Sequence, residues 1–412
     1  MKILFINSLY TPNLVGGAER FVQCLAEGVV KAGHQAVVAS TAPWRGKHAR
    51  RVNGVKIYYI GFKNLYWPFG DEENPRVLKP VAHALDTHNP WMAGEVSRIL
   101  ESEQPDLVHT HNLLGFSIAA WRAVKQLRLP LVHTLHDHYL LCPRGTMFRR
   151  GRNCERRCAE CRLYALPKKR PAGQVDAVVG VSRYILERHL DFGYFADTPV
   201  KGIIPNSYQV RPAVPPQGAP SLPIRFGYLG QIHPNKGIEV LLQAVTRLPE
   251  GAWHLKIAGR GFTAYERYLR AGYGGKPAIE FLGHVEAEAL LRQTDVLVAP
   301  SFLSETFGRV VIEAYAHGVP VIASNRGAMP ELVEMGRTGY SMDPSHPDHL
   351  AIKMRSFIED PAMIESMRAR CLEKAKGFLP ADVVGRYLEV YREARNRRYA
   401  AQSDPGRPRG VA

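Results

Sequence analysis

Glu305 and Glu313 stand eight positions apart in the segment 300–331, PSFLSETFGRVVIEAYAHGVPVIASNRGAMPE, with Gly308 between them. Val310, Val311 and Ala314 have the spacing of a buried helical stripe that Gly318 ends, and VPVIAS reads as a buried parallel strand. Gly327 opens a further turn before Glu331. A loop that enters a helix between two acids can hold a polyhydroxy ligand, because a carboxylate accepts two O–H bonds at once. Such a loop also presents backbone N–H groups to a phosphate. The competing reading is an ordinary βαβ unit whose glutamates are solvated. Near the start of the chain, Gly16 and Gly17 lie between a strand and a helix, where the missing side chains let backbone N–H groups approach a phosphate. No GK[ST] follows, so this is not a Walker loop, and paired-glycine turns also occur without ligands. His136 and Asp137 follow the strand PLVHTL at its C-terminal end, where ligands of α/β proteins collect. His109, His111 and His133 are close in sequence and raise a metal site as an option, against which stand the alternating faces of a strand.

The run E-x7-E, EAYAHGVPVIAS and the later Gly327–Glu331 pair resembles the retaining, nucleotide-sugar-dependent glycosyltransferases of family four. MKILFINSLYTPNLVGGAERFVQCLAEGVVKAGHQAVVAS is similar to that family's opening strand, glycine loop and helix. FGYLGQIHPNKGIEVLLQAV, IAGRG and EFLGHV are similar to the landmarks of its second domain, so the resemblance covers roughly residues 1–345. It implies the GT-B fold: two Rossmann-like, doubly wound parallel-sheet domains facing across a cleft, with a C-terminal helix crossing back to the first. It implies that Glu313 accepts hydrogen bonds from the nucleotide ribose, that Glu305 lies near the transferred sugar, and that Thr306, Phe307 and Gly308 border sugar and phosphate. Val285 falls beside the base and His136 on the sugar. Lys236 in HPNKG is the cation for the diphosphate. Relatives often carry arginine where this chain has Gln231, a neutral donor, which leaves Arg309 or Arg260 to assist. A cation at a helix start is electrostatically misplaced unless it meets an anion, which favours a ligand at Lys236. The resemblance further implies a front-face displacement in which the departing phosphate takes the acceptor's proton, with no divalent metal. The co-substrate is then a UDP- or GDP-sugar and the acceptor a lipid-linked or polysaccharide glycan of the cell envelope. A GT-B nucleotide-sugar epimerase is the enzymatic alternative.

The elements that must position these residues follow from composition and periodicity. At 412 residues the chain exceeds one compact core, and apolar runs alternate with helical patterns, as in α/β proteins. We expect strands at KILFIN, QAVVAS, VKIYYI, DLVHT, PLVHTL and DAVVGV, and helices from Ala18 to about Ala32, near Trp91–Glu103 and near Phe116–Leu127. The expected division is an N-terminal domain over 1–207, carrying a Cys/Arg-rich loop at 142–170, a proline-rich linker over 208–223, and a second domain over 224–380. A crossover helix over 381–400 and a disordered tail over 401–412 follow. The longest apolar run, around Leu113–Trp121, is about half the length of a membrane span, and KILFI lacks a cleavage pattern, so a cytoplasmic protein is expected.

The net charge is +16, from 54 basic against 38 acidic residues, which points to an anionic partner. Arg144, Arg149, Arg150, Arg152, Arg156, Arg157, Arg162, Lys168, Lys169 and Arg170 are opposed locally only by Glu155 and Glu160. Peripheral contact with an anionic membrane, a phosphate-binding surface, or plain solubility would each account for them. Cys142, Cys154, Cys158 and Cys161 fall within the same loop. A structural zinc knuckle, a reduced cluster and disulfides are the options for them. A nucleic-acid module built on charge and a four-cysteine knuckle leaves the whole second half unexplained, so no nucleic acid is expected as a partner.

Overall fold

The structure, a computed structural model, describes residues 1–13, 16–44, 46–70, 76–208, 220–261 and 263–403. Most of the expected linker (209–219) and of the expected tail (404–412) therefore lies outside the described residues. The chain forms two units. The first comprises Met1–Met147, Glu155–Ser207 and the segment from Pro380; the second comprises Phe148–Cys154 and Tyr208–Leu379.

The first unit is built on an eight-stranded sheet. In spatial order its strands are Val200–Ile203, Ala177–Gly180, Leu131–Leu135, Leu107–Thr110, Lys2–Asn7, Gln35–Ala42, Val55–Gly61 and Lys47–Val52. All pairings are parallel except the last, where Lys47–Val52 runs antiparallel to Val55–Gly61. The central strands are buried along nearly their whole length because helices cover both faces, and the polar residues they carry, among them His109, Thr110, His133 and Thr134, are buried as well. KHARRV is the reverse case: it is exposed, charged and at the sheet edge, where lysine and arginine discourage pairing with another chain. Its lack of an apolar pattern kept it out of the strands expected from sequence.

Helix Pro380–Ser403 belongs to this first unit and buries Val383, Val384, Tyr387, Leu388, Tyr391 and Ala394, a helical stripe, in the same core as Phe21, Val22 and Leu25 of helix Gly17–Lys31. Two tyrosines on that stripe are tied to the sheet. Tyr391 Oη lies 2.7 Å from His109 Nδ1, and Tyr387 Oη lies 3.1 Å from Thr134 Oγ1, which is itself 2.8 Å from His109 Nε2.

The second unit has a six-stranded, wholly parallel sheet in the order Ile279–Gly283, Trp253–Ala258, Ile224–Leu229, Val296–Ala299, Val321–Ser324 and Gly339–Met342. Numbered along the chain this is 3-2-1-4-5-6, the doubly wound order. Its direction reverses between Ile224–Leu229 and Val296–Ala299, and ligands of such sheets bind outside the carboxyl ends of the strands at that reversal. A two-stranded hairpin, Phe148–Arg149 with Arg152–Asn153, also groups with this unit. Residues Phe148–Cys154 of the Cys/Arg-rich loop thus group with the second unit. Among the described residues no helix is long and apolar enough to cross a membrane.

Tyr391 is fully buried and joins helix to sheet, so Tyr391→Ala should cost about 3–5 kcal/mol of stability, read as a lowered denaturation midpoint. Tyr391→Phe, which keeps the packing and loses the contact with His109, should cost about 1 kcal/mol.

Candidate active site

In the second unit, strand Ile224–Leu229 leads through Gly230 and Gln231 into a one-turn 3-10 helix, Pro234–Lys236, capped by His233. Gly237, at φ 72°, then turns the chain into helix Ile238–Val245. A Cβ at Gly237 would sit 1.9 Å from the carbonyl oxygen of Pro300, so only glycine permits this approach. Across the switch point, strand Val296–Ala299 leads into the loop 300–308. The Asn235 carbonyl accepts from the N–H groups of Phe302 (2.9 Å) and Leu303 (3.1 Å), joining the two loops. Glu305 is held from behind: its carbonyl accepts from Ala328 N–H at 2.8 Å, and a Cβ at Gly327 would lie 2.3 Å from that carbonyl oxygen.

These backbone contacts put the expected side chains together. Lys236 Nζ donates to Glu305 Oε1 at 2.6 Å, and Ser301 Oγ donates to the same oxygen at 3.0 Å. The second carboxylate oxygen of Glu305 has neither of these bonds. Gly308, at φ 96°, starts helix Arg309–Ala316, on which Arg309 Nε pairs with Glu313 Oε1 at 2.8 Å. The Arg309–Glu313 contact is an ion pair by distance, since Arg309 Nε lacks hydrogen-bond geometry to a partner, and Arg260, whose carbonyl accepts from Ile232 N–H, is exposed. Lys236 has an acidic partner within the chain, so its position at a helix start does not by itself require a ligand. Phe307 is buried and packs edge-on against Phe378, at 6.1 Å between ring centroids. Thr306 and Val285 are half-buried, and Gln231 is exposed with its carbonyl accepting from Tyr228 Oη at 2.7 Å. Asn153 of the hairpin closes the loop from its other side, donating to Phe302 O at 2.7 Å and accepting from Ser304 N–H at 2.8 Å.

In the first unit, strand Lys2–Asn7 and helix Gly17–Lys31 flank the paired glycines. Gly16 N–H donates to Glu19 Oε2 at 2.8 Å, the return half of a capping box, since glycine has no side chain to supply the other half. Of the two expected phosphate-facing amides, that of Gly16 is thus engaged within the chain. Burial pushes the Glu19 carboxyl up, against its bonds to backbone N–H groups and Asn112.

The histidines do converge, contrary to the expectation from alternating strand faces. The His109 and His111 rings lie 4.0 Å apart between centroids, tilted by 42°, and His111 Nδ1 is 2.9 Å from His136 Nε2. Positions i and i+2 share a strand face, so HTH carried that signal. Burial pulls all three well down, His136 to about 3, so they are neutral donors and acceptors near pH 7.

Beside His136, burial pushes Asp137 up to about 6, against its bond from Tyr139 N–H (2.7 Å) and the nearby Lys168. Lys168 is itself buried, donates to Tyr139 O at 3.0 Å, sits 3.5 Å over the Tyr139 ring, and is pulled down to about 8 by burial.

None of the six cysteines forms a disulfide, and among the described residues no group of three His, Cys, Asp or Glu side chains is placed to hold a metal ion. Cys161 contacts Cys142 and Cys158, but Cys154 belongs to the segment that groups with the second unit.

Residues 15–206 match the family described as Glycosyltransferase Family 4, and residues 223–360 match that described as Glycosyl transferases group 1. A protein of Klebsiella pneumoniae described as an uncharacterized 42.6 kDa protein in the cps region is 30% identical over 343 residues, 81% of this chain and 87% of its own length. The chain belongs to glycosyltransferase family 4. The transferase is similar in structure to the sucrose-phosphate synthase of Thermosynechococcus elongatus, with a TM-score of 0.74 at 20% identity, over 97% of this chain and 99% of that one. It is also similar to Anabaena HepE, solved in complex with UDP, with a TM-score of 0.70 at 20% identity over 95% and 99% of the two chains. These likenesses give the transferase the GT-B fold.

Asp137 yields a pH test. Its carboxyl titrates near 4 when unfolded and about 6 when folded. Between those values the folded state binds the extra proton, so stability declines as pH rises through the window and levels off above it. Asp137→Asn lacks that penalty. Its stability relative to wild type should rise by about 1–2 kcal/mol between pH 4 and 6, and stay flat above, in denaturant titrations at several pH values.

Proposed function

We propose that this glycosyltransferase moves a sugar, with retention of anomeric configuration, from a UDP- or GDP-sugar to a lipid-linked or polysaccharide acceptor. The setting is cell-envelope glycan synthesis on the cytoplasmic side. The observation that carries the reading is the Lys236–Glu305–Ser301 set at the switch point of the second sheet. Anabaena HepE, solved with UDP, and the Klebsiella pneumoniae relative of the cps region lend it support.

The chemistry requires a cation for a leaving diphosphate, acceptors for sugar and ribose hydroxyls, and a fixed geometry between them. Lys236 supplies the cation. Glu305 fixes the ammonium through one carboxylate oxygen and turns the other to sugar hydroxyls. Glu313, held by Arg309, accepts the ribose diol, and Val285 lies beside the base. The amides from Gly308 onward, at the start of helix Arg309–Ala316, add partial positive charge for phosphate. Thr306 and Phe307 border the sugar. For the first unit the resemblance assigns the neutral His136, whose Nε2 lies 2.9 Å from His111 Nδ1, to the sugar, and the glycine-loop amides to the phosphate. In a front-face displacement the departing phosphate oxygen takes the acceptor's proton, so positioning and charge stabilisation carry the rate and no divalent metal is required. Asp137, titrating about 6, is suited to accept a hydrogen bond from the acceptor hydroxyl.

A thermal-shift panel of UDP-, GDP- and ADP-sugars without added metal tests the donor. A true donor at a hundredfold its Kd should stabilise the fold by about 2.7 kcal/mol, and silence across the panel would refute the reading. Lys236→Ala should lower kcat by about 10²–10³-fold with KM for the donor changed less. Glu313→Gln, which keeps the side chain's shape, should instead weaken donor binding by about tenfold or more in calorimetry. Wild-type kinetics in both variants would show the site to be elsewhere.

A further inference from the structure

The basic run at 144–170 does not act as one patch. Arg144 pairs with Glu160, Arg157 lies over the Phe192 ring, and Lys168 is buried. Arg149, Arg150 and Arg152 lie on or beside the hairpin of the second unit. What is left is concentrated on helix Ala159–Ala172 of the first unit, and that helix is unusual. Its buried face carries Cys161, Ala165, Lys168 and Ala172. Its opposite face exposes Arg162, Leu163, Leu166, Pro167, Lys169 and Arg170. At 100° per residue these six fall within one arc of roughly 160°, with the leucines near the middle and Arg170 between them.

Leu163 and Leu166 are 67% and 71% exposed. Beside them runs helix Lys79–Thr87, joined by the bond from Tyr164 Oη to Pro80 O (3.1 Å) and the contact of the Tyr164 and His83 rings at 5.6 Å. That neighbour adds Val77 at 84%, Val81 at 53% and Leu78 at 39% exposed, together with the exposed Lys79. The two helices and the turn before Lys79 contain only two carboxylates. Asp86 is buried, and Glu160 is paired with Arg144.

We infer that this face, Val77–Val81 together with the exposed arc of Ala159–Ala172, docks the protein on an anionic lipid bilayer. Five apolar side chains standing in water are unfavourable unless a low-dielectric surface receives them, and their grouping on two adjoining helices makes a patch of the kind that marks an interaction site. The cations flanking them on the same face select the surface. Arg162, Lys169, Arg170 and Lys79 match the negative headgroup layer, and their alkyl stems can lie along the acyl boundary with the charges kept in the headgroups. A protein partner would need a run of carboxylates placed to match, whereas an anionic bilayer meets both requirements with one chemistry. The inference deepens the proposed function and rests on it for its purpose, a transferase brought to a lipid-linked acceptor. Its evidence is independent of the donor site.

The test uses the full chain and sedimentation with vesicles of phosphatidylcholine alone or with 30–40% phosphatidylglycerol (about the anionic fraction that gives a substantial surface potential). Wild type should partition onto the anionic vesicles and not onto the zwitterionic ones, with salt weakening but not abolishing the binding. Leu163→Ser/Leu166→Ser and Arg162→Glu/Arg170→Glu should each lower partitioning by at least about tenfold. All four side chains are exposed, so both variants should keep the wild-type melting temperature and any thermal shift produced by a donor sugar. Failure of wild type to bind anionic vesicles, or variants that bind as well as wild type, overturns the inference. So does a dimer in light scattering that Leu163→Ser/Leu166→Ser converts to monomer, since a second copy would then cover the face. Vesicle binding without any donor response would overturn the donor reading and leave this one standing.

Discussion

The arrangement of the second unit depends on the near-contact of backbone with backbone at two glycines. At Gly237 and Gly327 there is no space for a Cβ against Pro300 and Glu305, and both glycines sit at positive φ. These contacts fix the loop 300–308 from two sides without using a side chain. Carbonyl Asn235 and N–H Ala328 supply its backbone hydrogen bonds, and the Asn153 side chain adds two more. The result is a carboxylate, Glu305, whose main chain has little freedom and whose side chain meets Lys236 at 2.6 Å. A charge placed this way needs little rearrangement when a reacting group arrives, which is the condition for electrostatic catalysis to be effective.

Pairing of the four charged groups into Lys236–Glu305 and Arg309–Glu313 has a second consequence. All four side chains are partly shielded from solvent, so an isolated cation or acid there would carry a desolvation cost. Each pair offsets that cost internally and leaves hydrogen-bonding capacity on the carboxylate. Glu305 is therefore both an anchor for the ammonium and an acceptor for a hydroxyl. The first unit solves a similar problem with neutral groups. Burial strips His109, His111 and His136 of charge, and they bond to one another and to tyrosine and threonine hydroxyls.

Much of the fold was legible in sequence because parallel strands covered on both faces are plain apolar runs, and KILFIN, QAVVAS and VKIYYI emerge with those boundaries or nearly so. The acids of the second unit were legible from their spacing around Gly308. The contacts that matter to them were not. Lys236 and Glu305 are 69 positions apart, and Asn153 reaches the loop from a two-residue strand that has no periodicity to detect. Two signals were present but outweighed. Gly16–Gly17–Ala18–Glu19 has glutamate at the third helical position, from which a carboxylate reaches back to the N-cap amide, and this competes with a phosphate for the Gly16 amide. Cys161, Ala165, Lys168 and Ala172 recur at helical spacing, which assigns Lys168 to a buried face and removes it from the charge cluster in which composition alone had placed it.

The burial of Lys168 also separates two roles that a count of basic residues merges. A lysine whose ammonium lies over Tyr139 and bonds its carbonyl holds the turn that carries Asp137 and follows His136. Because that turn is anchored from beneath by a charge from helix Ala159–Ala172, the exposed arc of the same helix is mechanically continuous with it. The helix thus has one face committed to the geometry around His136 and Asp137 and an opposite face that presents arginine and leucine to the surroundings. Substitutions on the outer face leave the Lys168 anchor in place, whereas a change at Lys168 removes a buried cation whose charge acts on both Asp86 and Asp137. The net charge of +16 is for that reason a poor guide to mechanism here. Two residues apart on one helix, Lys168 and Arg170 carry the same sign, and one belongs to the interior while the other belongs to the surface.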